Sequence, residues 1–235
     1  MGTSWTEIIT NYAMVEIDDV RLQEESGISP AQFLRRMSLY MNLALPLLNR
    51  PPELVPYLQD GLTIATYADA NWTSNEASLS GETTIDTGIT DFGLFSCVIR
   101  EETANGYVTL SPYTDASYDA ETGVVTFPQQ TASGTLYVMD FYNDGSFAQE
   151  LSPSLKRLLG LAVAFTWDER FSRNWLNMQM KIHDSEFNVG NEATYMREVT
   201  ARQQKTRAAF FDELWKYEQD VALKNVSGMK RTAFL

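Results

Sequence analysis

His183, the one histidine of the chain, lies beside Asp184 and Glu186, residue types from which a carboxylate-steered base or a metal ligand is built. Such chemistry needs a nucleophile or further His and Cys ligands as companions. None stands out, so a surface or interfacial histidine is expected. Adjacent carboxylates occur at Asp18-Asp19, Glu24-Glu25 and Glu101-Glu102. A glycosidase pair works at a fixed separation across a sugar ring, which neighbours in an acidic chain do not define, and a solvated face is the expectation. Asp140-Phe141-Tyr142-Asn143-Asp144-Gly145 carries the sixth-place glycine of a calcium loop. Its third place is Tyr142 and its twelfth Leu151, where an oxygen ligand and a bidentate glutamate are required, so a hairpin turn is predicted instead. Cys97, within Phe95-Ser96-Cys97-Val98-Ile99, reads as a small buried hydrophobe, and one cysteine allows no internal disulfide. Neither GxGxxG nor a GxxxxGK loop ending in Ser or Thr occurs. These residues predict no enzyme, no metal and no cofactor.

The elements around them fall into three stretches. Ser29-Pro30 pairs an N-cap with proline at the first helical position, and Phe33, Leu34, Met37, Tyr40, Met41, Ala44 and Leu45 then recur at helical spacing until Pro46 and Pro51-Pro52. Pro52-Glu53-Leu54-Val55 is expected to open another short turn. From residue 62 to 148 the period falls to two. Strands are predicted over Phe92–Arg100, Gly106–Leu110, Gly123–Phe127 and Thr135–Tyr142, with turns at Asp119–Gly123 and Asn143–Gly145. Ser152-Pro153 repeats the start signal ahead of a long helix through Leu155, Leu158, Leu159, Ala162, Phe165, Leu176 and Met180. Trp167, Phe171 and Trp175 in it recur at core spacing. After a break near residues 188–191 a second helix carries Phe210, Phe211, Leu214, Trp215 and Val221. Its segment 200–207 is polar all round, as in a solvent-bridging or assembly element. The fold class is α+β: a discontinuous helical domain (1–61 and 149–223), made of N-terminal helices and a C-terminal helical hairpin, with an inserted antiparallel β module (62–148).

Charge is distributed unevenly. The net −13 is −16 over residues 1–150 and +3 over 151–235, and all six lysines follow residue 155. An acidic chain of this kind is not expected to grip nucleic-acid phosphates, because that affinity comes from Lys and Arg displacing counterions. The N-terminal residues lack the basic and apolar regions of a secretory signal, and no apolar run reaches the roughly 20 residues of a membrane span, so cytoplasmic synthesis is expected. After Lys224 the apolar period fades. Residues 224–235 are read as a docking tail with Lys224, Lys230 and Arg231 as cations and Phe234-Leu235 as an apolar tip.

Two sets of residues also carry a resemblance. Tyr118–Phe127, Ser133–Val138 and Asp140–Phe147 resemble β modules of tailed-bacteriophage virion proteins. Ser4–Ile9, Ser38–Asn42 and Asn49–Pro52 are similar to small neck proteins of long-tailed phages. The resemblance implies a head–tail connector or adaptor in the virion neck. It would be a homo-oligomeric ring between the portal protein and tail or neck proteins, with DNA passing through it unread. A tail-completion or tail-terminator protein, and a glycan- or protein-binding β module, remain open at this stage.

Overall fold

Ser29 and Ser152 each start a helix by the same means. In a computed structural model of the chain, which describes residues 2–17, 29–48, 67–102, 108–129, 131, 135–179 and 189–232, the Ser29 hydroxyl accepts the Gln32 N–H at 3.2 Å and the Ser152 hydroxyl accepts that of Leu155 at 3.3 Å. Proline follows each cap, where its missing N–H costs nothing. The elements are α1 (Trp5–Ile8), a π-helical turn (Ile9–Ala13), α2 (Met14–Glu16) and α3 (Pro30–Ala44), followed by a 3₁₀ turn (Leu45–Leu48). The strands are β1 (Tyr67–Ala68), β2 (Asn71–Leu79), β3 (Thr84–Asp86), β4 (Leu94–Glu102), β5 (Val108–Tyr113), β6 (Ser117–Asp119), β7 (Val124–Thr126), β8 (Thr135–Asn143) and β9 (Ser146–Phe147). Two long helices close the chain, α4 (Pro153–Gln179) and α5 (Val189–Thr232). The protein is α+β, and its described ladders in the two larger sheets are antiparallel.

The chain divides into two compact units. Residues Asp19–Ser38 and Ala68–Ser146 form the β unit, and Met1–Asp18, Leu39–Tyr67 and Phe147–Leu235 the helical unit. The boundary differs from the expected one, which kept all of α3 with the helices. Its first half groups with the sheet because Ser29 bonds to Asp140 and the Ala31 N–H to the Ser96 hydroxyl.

In the β unit, strands run β2-β8-β4-β5 in one sheet and β3-β7-β6 in another. Alternation sorts the side chains of β8. Tyr137, Met139 and Phe141 join Leu79, Cys97, Val125 and Phe127 in the core between the sheets, while Val138, Asp140 and Tyr142 point to the opposite face. That face meets the first half of α3: Ser29 bonds Asp140, and the Ser38 and Tyr142 hydroxyls share a 2.7 Å hydrogen bond. Covered on both sides, β8 reads as a near-continuous apolar run. Its neighbour β2 is a sheet edge and so polar that composition hides it. The other edge, β5, carries Pro112, which cannot donate to a further strand. The 119–123 turn forms as expected: Asp119 accepts from the Glu121 N–H and the Thr122 hydroxyl, and Gly123 takes a φ of 73°. The expected Asn143–Gly145 hairpin does not form. β9 leaves the sheet and pairs with β1, while the Asn143 amide ties the end of β8 to Asp91 and Gly93.

In the helical unit, Ser4 caps α1 by accepting the Glu7 N–H, and the following π turn lies against α4. Gly160 permits that approach, since a Cβ there would stand 2.5 Å from the Tyr12 Cβ. Helices α4 and α5 are antiparallel, with Phe165 stacked on Phe210 at 5.8 Å and Asp168 bonded to Thr206. Helix α5 runs through Thr232, so residues 225–232 of the expected docking tail are helical. Extending an existing helix costs far less than nucleating one, so the helix continues where the apolar period fades.

Candidate functional site

Among the described residues, three polar clusters form around a buried charged side chain, and each one fastens elements together. In the β unit, Asp140 is buried at 4% exposure and accepts hydrogen bonds from Ser29 Oγ at 3.1 Å and Ser74 Oγ at 2.7 Å. Because Ser29 also caps α3, the carboxylate sits at the positive end of that helix, and the cluster seats helix on sheet. Both hydroxyl protons are committed to the carboxylate. Asp140 is also the first residue of the stretch compared above with a calcium loop. It lies inside β8, where its carboxylate serves this seat. Cys97 lies in the adjacent core, and burial, then the Asp140 charge, push its thiol up to about 12. That is the inert hydrophobe expected from its apolar surroundings.

The helical unit holds the other two clusters. Lys156, nearly buried, bonds Glu7 at 2.7 Å and also Glu150, while the Thr3 hydroxyl accepts the Leu151 N–H at 2.8 Å. The two carboxylates hold the ammonium well above the ordinary lysine range, and Lys156 in turn lowers Glu150. The third cluster is Asp168, 5% exposed, with Thr206 Oγ1 at 2.7 Å and Arg202 Nε at 3.4 Å. Segment 200–207 is therefore not polar all round for lack of packing, since two of its polar residues reach a buried carboxylate.

The surface divides by character. In the β unit the carboxylates of Asp69, Glu76, Glu82, Asp86, Asp91 and Glu101 are all exposed, and Asp115, Asp119, Glu121 and Asp144 join them. Arg100 sits 3.7 Å from Glu76. On α5 the large apolar side chains differ in burial. Phe210 and Leu214 are buried, while Phe211 is 41% and Trp215 59% exposed, and the Arg207 guanidinium lies 5.7 Å from the Phe211 ring centre.

Of the tail residues expected to dock, Lys224, Lys230 and Arg231 lie on the backbone of α5, and Phe234 and Leu235 lie outside the described residues. His183, Asp18-Asp19, Glu24-Glu25 and the turn expected at Pro52–Val55 also lie outside them. Phe171 and Trp175 lie on the backbone of α4, and Trp167 meets Tyr40 edge-on at 4.9 Å. The roles of Asp140, Lys156 and Asp168 depend on partners distant in sequence, and of the residues in these clusters only the Ser29 cap has a local signal.

No family model matches the chain, and no curated protein matches it. A crystal structure of Xanthomonas campestris FlgL is similar over 70% of this chain and 54% of that one, at 10% identity. The chain thus spans about half the length of that protein, and a TM-score of 0.13 carries no argument about fold or function. Among the described residues, no helix is long and apolar enough to cross a membrane.

Proposed function

We propose that the protein is a structural subunit of a tailed-phage virion, a head–tail connector or adaptor whose copies form a ring between the portal and the tail. The observation that supports this most directly is the electrostatic character of the β unit, where ten carboxylates between Asp69 and Asp144 lie at the surface. A wall that DNA must slide past without sticking has to repel phosphate, and surface carboxylates do so at the range of the Debye length, about 8–10 Å. The clusters at Asp140, Lys156 and Asp168 suit such a role, because each stiffens a frame. Lys224, Lys230 and Arg231, at the end of α5, are the residues assigned to docking on a neighbouring neck protein.

Removing the gene from the producing phage should yield DNA-filled heads and separate tails that do not join. Electron cryo-microscopy of complete particles should place the chain as a ring at the neck. Normal particles made without the chain, or density for it at a tail fibre or in the capsid shell, would overturn the reading.

A further inference from the structure

Helix α5 carries an exposed stripe. Gln204, Ala208, Phe211, Trp215 and Gln219 follow one another at three- and four-residue steps, so they lie along one side of the helix, and all five are exposed. Two large aromatic side chains at the middle of such a stripe mark an interaction surface rather than a solvated face.

The charges beside the stripe are ordered. Residues 199–211 hold three cations and no carboxylate, and residues 212–223 hold four carboxylates and one cation. A helix that is basic on one side of a midpoint and acidic on the other is complementary to itself when a second copy runs antiparallel. We infer that this face of α5 pairs with the same face of a second copy of the chain about a two-fold axis near Asp212. That register sets Trp215 of each copy on Ala208 of the other, where the small side chain leaves room for the indole. It also brings Arg207 of each copy to the level of Glu218 of the other, within one helical turn, twice over by symmetry. A parallel pair would set cation against cation.

Copies in a ring meet through two different faces, so this contact is a property of the unassembled chain and stands whether or not the connector reading holds.

The test is the solution mass of the full chain by sedimentation and light scattering across a micromolar dilution series. A dimer is expected. Trp215→Ala, at an exposed position, should leave the helical circular dichroism intact and raise the dissociation constant at least about tenfold. Arg207→Glu should weaken the dimer, and adding Glu218→Arg on the same chain should restore it. Eleven residues separate the two positions, about 16 Å along one helix, so rescue reports contact between chains rather than within one. A monomer throughout the series, an oligomer indifferent to Trp215→Ala, or no rescue by the double exchange would overturn the inference.

Discussion

The β unit and the helical unit each bury an aspartate, and they neutralise it by different means. Asp140 is held by two serine hydroxyls at the start of α3, whereas Asp168 is held by the Thr206 hydroxyl and the Arg202 guanidinium, whose side chain stays 40% exposed. The first charge is balanced by oriented dipoles in a closed site, and the second by a counter-ion that keeps part of its hydration. A dipole cage demands exact placement of its donors but does not respond to salt. An ion pair with one wet partner tolerates movement and is screened.

Replacement of each carboxylate breaks the comparison most sharply. Asp140→Ala leaves the donors of Ser29 and Ser74 without their acceptor and uncouples the start of α3 from the sheet, so a loss of about 3 kcal/mol is expected in urea unfolding. Asp168→Ala should cost less, about 1–2 kcal/mol, because Arg202 can turn to water. Raising the salt to about 1 M should shrink the Asp168 effect and leave the Asp140 effect in place. Equal salt responses would show that the two sites are held alike.

The units should also fail at opposite ends of the pH scale. Cys97 has a folded value raised from 9.0 to about 12, so its contribution is complete below the unfolded value and is lost as pH rises from 9.0 through about 12. Cys97→Ala should flatten the alkaline limb of the stability curve, and thiol reagents should label Cys97 only on unfolding. Labelling of the native chain at the rate of a free thiol would contradict its burial. Glu150 has the opposite sign. Its folded value is lowered, first by the Lys156 hydrogen bond, so its contribution is present above the ordinary carboxylate range and lost as pH falls through the folded value. Lys156→Met should blunt that acid limb. This is the smallest expected effect, because the Glu150 side chain is 62% exposed and screened.

Local chemistry made several elements legible in the sequence. Ser-Pro pairs fixed the starts of α3 and α4, and Asp119 with Gly123 fixed a turn, since a cap or a positive φ needs only residues a few positions apart. Period-two patterning found β4, β7, β8 and the start of β5, but β2 is an edge strand whose polar face left little signal. Tertiary structure alone decided the rest. The split of α3 between units, the departure of β9 from the expected hairpin and the helical course of residues 225–232 depend on what each segment packs against or extends from. The same holds for the clusters. Ser29 and Asp140 are 111 positions apart, and Glu7 and Lys156 are 149 apart. Amino-acid types fix what each residue can bond, but only the folded chain brings donor and acceptor within hydrogen-bonding distance, because hydrogen bonds and ion pairs act over a range far shorter than the chain that separates them.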